Sequence, residues 1–252
     1  SLMGAITCGS ILCLGRIFYD CNPQEKKDLS TVMAYVLLFA FFCALFEQEA
    51  TSLMLFFERA VDRQVGGFII PPSFFLSLGS FFVLVCNPLL LFISSRWLEA
   101  KKPMNGFVKV GCGFLCVGCS FGILTLGIKI NVLPIPLAWI VGALFVQTIG
   151  ELWVAPVSFT KISQHAPPRF KSTLMAFWSM AIAYGHYFSG VIAQFSLSGN
   201  ILFEHALEGY GTFFTHLALL PLCVAFPLLG YQTIKRIVSK QRRKKRLIAK
   251  NK

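Results

Sequence analysis

Long apolar runs alternate with short polar segments along this chain of 252 residues. A helix needs about 20 mostly apolar residues to cross a bilayer. Six runs are long enough and predict membrane-spanning helices over residues 31–57, 73–97, 105–128, 135–162, 172–195 and 211–234. A shorter apolar run over residues 2–18 is interpreted as the end of a further helix.

These runs predict an all-α membrane protein with three parts. Residues 1–30 would hold the end of a linker helix and a cytoplasmic linker, residues 31–238 would form a bundle of six membrane-spanning helices, and residues 239–252 would form a basic cytoplasmic tail. No soluble domain remains once the spans are removed.

Composition and charge agree with this class. Hydrophobic residues make up 56% of the chain and charged residues only 13%, a balance typical of membrane proteins. The formal net charge is +12, and ten Lys and Arg residues follow residue 234. No aromatic residue is interleaved with them, as single-stranded nucleic acid would require. The basic tail therefore predicts membrane topology and no nucleic-acid binding.

The loops carry a consistent charge bias. Basic residues flanking membrane helices mark the cytoplasmic side. If the tail is cytoplasmic, segments 20–30, 96–103 and 161–171 share its side, and each holds at least two Lys or Arg residues. Segments 61–72, 129–134 and 196–210 face the opposite side and hold only Arg63 and Lys129. This predicts a multi-pass protein of the inner (plasma) membrane with a cytoplasmic C-terminus.

The cysteine-rich stretch 111–119 resembles a metal or redox cluster but lies inside an apolar run. It contains no histidine or acidic residue to complete a metal site. Its glycines and cysteines recur at spacings of three and four residues, which is typical of close helix packing in lipid. We expect no metal site and no cofactor.

Glu151 is the most informative single residue, because it lies in the middle of an apolar span. A carboxylate inside a membrane costs about 2.5–3.5 kcal/mol on insertion scales, so it indicates function by default. Such a glutamate can move a proton or bind a substrate ammonium group directly. Hydrogen bonding to a neighbouring helix is the alternative.

Two further acids lie in the first predicted span. Glu47 lies past the midplane, where gating or proton transfer competes with a buried pairing role. Glu49 follows two positions later and would point to a different side of a continuous α-helix.

Two aromatic or imidazole side chains complete the candidates. Trp178 lies early in its span, where it would either line a cavity or anchor the helix at the interface. His186 stands between Tyr184 and Tyr187 and is interpreted as a packing residue, with a proton carrier as the alternative.

Three motifs together resemble the proton-dependent oligopeptide transporter family of the major facilitator superfamily. Phe46-Glu-Gln48, Thr51-Ser-Leu53 and the stretch 58–63 resemble the family's seventh helix. Ile149-Gly-Glu-Leu152 with Ala155-Pro156 resembles the tenth helix, and the stretch 166–178 resembles the start of the eleventh. The motifs occur in the family's order and spacing over nearly the whole chain.

The resemblance implies a transporter fold of two six-helix bundles, of which this chain would be the C-terminal one plus part of a preceding linker helix. The N-terminal bundle would belong to the same or a separate chain. By the same likeness, Glu151 would receive the amino terminus of a peptide, Trp178 would line the cavity, and Glu47 would couple to protons or gate the site. Glu49 is placed with Glu47 as a candidate for proton coupling or gating.

The chain also departs from the family pattern. Leu76 and Gly79-Ser80 occupy the positions where the family's eighth helix carries Gln and Asn-Pro. Ala155 replaces a usual Ser, and His186 replaces a usual Asn. Peptide recognition would therefore be altered, narrowed or lost.

The resulting expectation is proton-coupled symport of di- and tripeptides, with no enzymatic activity. The partners would be a small peptide, protons and the lipid bilayer, and the proton gradient would drive transport. The alternatives are transport of another small substrate, such as an amino acid, or a truncated membrane protein that does not transport.

Overall fold

The computed structural model describes residues 2–98, 105–130, 134–197 and 209–230. Eight α-helices lie in these ranges. In chain order they are α1 (Leu2–Asp20), α2 (Pro23–Phe46), α3 (Ser52–Ala60), α4 (Phe74–Leu98), α5 (Gly106–Ile130), α6 (Leu137–His165), α7 (Lys171–Leu197) and α8 (Gly209–Gly230).

Each apolar run that predicted a span forms helix in the described residues. Within these ranges, five helical segments are long and apolar enough to cross a membrane: Pro23–Ala60, Phe74–Phe92, Gly106–Ile130, Leu137–His165 and Gly209–Gly230. The helix α7 has 27 residues but is more polar and is not one of the five. The all-α membrane architecture is confirmed.

The first predicted span begins earlier in the structure than the sequence predicted. It begins at Pro23 rather than at residue 31, inside the segment that was predicted as a linker. The backbone N–H of Asn22 donates to the Glu25 carboxylate at 2.8 Å, and proline at the first helical position fits a helix start. These local signals extend the helix into the polar segment.

The same span is also broken, so the prediction of one continuous helix over residues 31–57 is wrong. The helix α2 ends at Phe46, a 3₁₀ turn covers Glu47–Glu49, and α3 begins at Ser52. A 3₁₀ turn inside a helix often marks a hinge or a functional position. We call residues 47–51 the helix break.

A short β-hairpin connects α3 to α4 in place of the predicted loop. The strands β1 (Gln64–Val65) and β2 (Phe68–Ile69) pair antiparallel, with Val65 opposite Phe68. Gly66 and Gly67 have φ of 56° and 86°, which only glycine adopts readily and which a tight two-residue hairpin turn requires.

Close helix approaches hold the bundle together. A side chain on Gly150 of α6 would meet the carbonyl oxygen of Gly113 at 2.9 Å and Cys116 Cβ at 3.1 Å. A side chain on Gly118 would meet Leu222 of α8 at 2.9 Å. Cys116 of the cysteine-rich stretch takes part in the close approach at Gly150, as the packing interpretation predicted, whereas Cys119 is exposed and nothing lies within 4 Å of a side chain added at Gly122. All nine cysteines are free thiols.

The helix α1 packs on the bundle through α7 and the turn before it. The Thr7 and Tyr184 hydroxyl groups lie 2.8 Å apart, and the Arg169 guanidinium donates to the carbonyl oxygen of Asp20, the last residue of α1, at 2.5 Å. The linker helix is therefore part of the same packed unit.

Several predictions concern residues outside the described ranges. These are the basic tail over residues 239–252, the end of the last span beyond residue 230, and most of the predicted loops 96–103 and 196–210.

Candidate functional site

Side-chain amides of α6 and of the helix break itself donate hydrogen bonds to backbone carbonyl groups at the end of α2. The Gln147 amide on α6 donates from Nε2 to the Phe46 carbonyl at 3.0 Å. The Gln48 amide donates to the Ala44 carbonyl at 3.1 Å. Backbone groups at membrane depth need such partners because no water is there to serve them. The break is therefore a supported part of the fold.

A buried polar network fixes the break against α7. Gln48 has no solvent exposure, and its Nε2 donates to the Ser189 carbonyl at 3.2 Å and to the Ser189 hydroxyl at 3.1 Å. The Ser52 hydroxyl donates to Gln48 Oε1 at 2.6 Å. The Thr51 hydroxyl lies 3.0 Å from that of Ser189. These contacts set the direction in which the break presents its acidic side chains.

A cavity of about 360 Å³ opens beside the break. Its wall contains the carboxylates of Glu47, Glu49 and Glu151. The helix α4 supplies the facing side with Leu76, Gly79, Ser80 and Val83. Three of these α4 positions (76, 79 and 80) are those at which the chain departs from the family pattern, so the departures lie in the cavity wall.

Glu151 lies at the middle of α6 and faces this cavity. Its side chain is partly buried and makes no hydrogen bond or ion pair with any described residue. The alternative of a glutamate hydrogen-bonded to a neighbouring helix therefore has no support among the described residues. Its carboxylate is free to meet a ligand or a proton.

Glu47 has a partner that the sequence interpretation missed. Its Oε2 lies 3.2 Å from His186 Nδ1 of α7, and the two side chains are 24% and 57% exposed respectively. The interpretation of His186 as a packing residue is therefore wrong. When the imidazole is protonated, this contact is an ion pair next to the cavity.

Glu49 is the most buried of the three acids, with 8% of its surface exposed. It lines the same cavity as Glu47, so the prediction that the two point to different sides is wrong. That prediction assumed a continuous α-helix, and the chain is not α-helical through residues 47–51. The three carboxylates lie close enough to interact electrostatically.

Trp178 lies outside the wall of this cavity. It stacks on Phe39 with ring centroids 5.2 Å apart, and its edge meets Phe159 at 5.1 Å. Its indole Nε1 is buried without a hydrogen-bond partner among the described residues. Its role in lining a substrate site stays a prediction.

Two residues that position the site were not predicted. Gln147 precedes Glu151 by one helical turn, and its polar side chain inside an apolar run is the same signal that singled out Glu151. Ser189 gives no such signal, because a small hydroxyl group is common in membrane helices. Among the described residues, no group of three or more His, Cys, Asp or Glu side chains is arranged to hold a metal ion.

The family assignment follows from comparison of the whole chain with known families. The family model for PTR2, described as the POT family, matches residues 5–206. The chain belongs to the POT family.

Curated relatives of this POT family chain are peptide transporters by name. The chain is 26% identical over 233 residues to the peptide transporter YePEPT of Yersinia enterocolitica. It is 23% identical over 231 residues to the dipeptide and tripeptide permease A of Escherichia coli. These matches cover 88% and 90% of this chain but 44% and 46% of the relatives. The chain thus spans somewhat less than half the length of either relative.

Solved structures of the family share the fold. A crystal structure of the peptide transporter POT in complex with sulfate superposes with a TM-score of 0.78 at 20% identity, over 92% of this chain and 45% of that one. A POT family transporter in complex with 5-aminolevulinic acid superposes with a TM-score of 0.71 at 20% identity, over 87% and 45% of the chains. The helices described here therefore have the fold of part of a POT transporter.

Proposed function

We propose that this chain is the C-terminal half of a proton-coupled symporter that carries di- and tripeptides across the inner membrane. The observation that carries the proposal is Glu151, a carboxylate at the middle of a membrane helix that faces a cavity and has no hydrogen-bond or ion-pair partner among the described residues. A peptide presents a free ammonium group at its amino terminus, and a buried carboxylate without a partner gains most from such a cation.

The arrangement of the other acids supports coupling to protons. Glu47 and Glu151 line one cavity, so a proton or a cationic substrate at one site changes the electrostatic free energy at the other. The contact between Glu47 and His186 gives Glu47 a partner whose imidazole ring can carry a proton. In this proposal Glu151 receives the peptide and Glu47 couples it to the proton.

The second half of the site would come from an N-terminal bundle in the same or a separate chain. Transporters of this kind bind substrate at the interface of two bundles and alternate by rocking one bundle against the other. The relatives are about twice as long as this chain, and they supply the precedent for such a partner. The basic tail would lie in the cytoplasm.

Uptake into liposomes tests the proposal. The complete gene product that contains this chain is reconstituted, and uptake of radiolabelled dialanine is measured with and without an inwardly directed proton gradient. We expect accumulation above equilibrium only with the gradient, and none in liposomes that also contain a protonophore. No uptake of any di- or tripeptide would overturn the proposal.

Transport of a free amino acid is the second candidate. It is favoured by the family member whose structure is in complex with 5-aminolevulinic acid. It is also favoured by Leu76 in the cavity wall, because this apolar side chain stands where the family pattern has a Gln. Gradient-driven uptake of radiolabelled alanine without uptake of dialanine would select it.

A further inference from the structure

Glu49 is a buried acid with no partner. Its side chain is 8% exposed, and it makes no hydrogen bond or ion pair with any described residue. An ionised carboxylate is costly to bury in this way unless a cation or hydrogen-bond donors accompany it. The chain therefore places an acid where a proton or a cationic ligand completes its environment.

The backbone of α4 makes room for this carboxylate. A side chain on Gly79 would meet Glu49 Oε1 at 2.9 Å and Oε2 at 3.5 Å. Both residues line the cavity, so the missing side chain at position 79 leaves the space that the Glu49 carboxylate occupies. The Glu49 carboxylate therefore lies against the α4 backbone, in the wall of the cavity.

The side chains that line the cavity provide no positive charge to pair with the Glu49 carboxylate. Glu47 of the helix break is paired with His186 of α7, and Glu151 of α6 has the proposed task of binding the amino terminus. No Lys or Arg is among the residues that line the cavity. The described residues form no metal cluster here, so an organic cation fits better than a metal ion.

We infer that Glu49 binds a second cationic group of the substrate, so that the transporter prefers peptides with a basic side chain such as lysine. This inference rests on the proposed function. With one ammonium group at Glu151 and a second at Glu49, a basic peptide would neutralise two buried acids that face one cavity. A peptide with an acidic side chain would meet like charge on the same wall.

Competition for uptake tests the inference in the complete gene product, expressed in a bacterial host without its own peptide uptake. Uptake of radiolabelled dialanine is inhibited with alanyl-lysine and with alanyl-norleucine, which has the same four-carbon side chain without the charged terminal amino group. The measured quantity is the ratio of the two half-inhibitory concentrations. We expect the half-inhibitory concentration of alanyl-lysine to be lower than that of alanyl-norleucine by about ten- to hundredfold. This factor corresponds to the free energy of a hydrogen bond to a charged group.

Variants assign this preference to Glu49. Glu49→Gln should bring the ratio close to one, whatever happens to the overall rate, while Glu58→Gln on the exposed end of α3 should leave the ratio unchanged. Gly79→Ala should reduce the preference, since the new methyl group displaces the Glu49 carboxylate. Gly122→Ala is its matched control, because nothing lies within 4 Å of that position.

The failures can be told apart. If the wild type takes up no dipeptide, the proposed function falls. If it takes up dialanine but inhibition by the two peptides is equal, or if the preference survives Glu49→Gln, this inference is overturned and the proposed function stands. If Glu49→Gln does not reach the membrane, the wild-type ratio and Gly79→Ala decide, and an unchanged ratio in Gly79→Ala overturns the inference.

Discussion

Gln147 Nε2 donates a hydrogen bond of 3.0 Å to the carbonyl oxygen of Phe46, the last residue of α2. Gln147 stands one helical turn before Glu151 on α6, and Phe46 directly precedes Glu47. One hydrogen bond thus connects the helix that carries the proposed substrate acid to the break that carries the proposed coupling acid. A shift of α6 relative to the break has to stretch this bond.

Gln147→Leu should destabilise the protein. The substitution removes the amide that donates to the Phe46 carbonyl and accepts from the buried Ser120 hydroxyl, and a buried polar group left unpaired costs about 1–3 kcal/mol. We expect a lower thermal unfolding temperature in detergent. Gln164→Leu near the end of the same helix removes only an exposed contact with Lys161 and is the control. Equal unfolding temperatures for the two variants would mean that the Phe46 contact does not support the break.

The Glu47–His186 contact should appear as non-additivity in the pH dependence of uptake. His186→Ala should change the pH profile of dialanine counterflow exchange, which needs no proton gradient, in the wild type but not in the Glu47→Gln background, because the imidazole acts through that carboxylate. His216→Ala, on the exposed face of α8, should change neither profile. Independent, additive effects would contradict a coupled pair.

Gly185→Ala should loosen the packing of α7 on α2. The added Cβ would overlap the Cβ of Cys43, and overpacking of this kind costs about 1–3 kcal/mol. Cys43→Ala keeps the Cβ and should give no relief, whereas Cys43→Gly should restore part of the lost unfolding temperature. Gly190→Ala, with nothing within 4 Å, is the control on the same helix. Equal rescue by both Cys43 variants would refute this packing account.

Hydropathy predicted where the helices lie, because a helix in lipid needs a long apolar run whichever helices it packs against. It could not predict the break at residues 47–51, since the apolar run continues on both sides of it. The break depends on hydrogen-bond partners that lie far away in sequence, Gln147 as a donor and Ser189 as an acceptor. Such tertiary contacts leave no periodic signal.

The candidate site was predicted in part for the same reason. Glu151 and Glu47 could be singled out because a charge in an apolar span is costly. The role of His186 and the shared cavity of Glu47 and Glu49 depend on the break, which redirects side chains that a continuous helix would separate. Gly79 was recognised only as a departure, and its contact with Glu49 gives that departure a physical reason.

The most direct test of the account is gradient-driven dialanine uptake by the Glu151→Gln variant of the complete gene product. The substitution keeps the shape of the side chain and removes the charge that would bind the peptide's ammonium group. At a surface level equal to wild type, we predict that uptake is abolished, while Glu58→Gln retains it. Wild-type uptake by Glu151→Gln at that surface level would contradict the account.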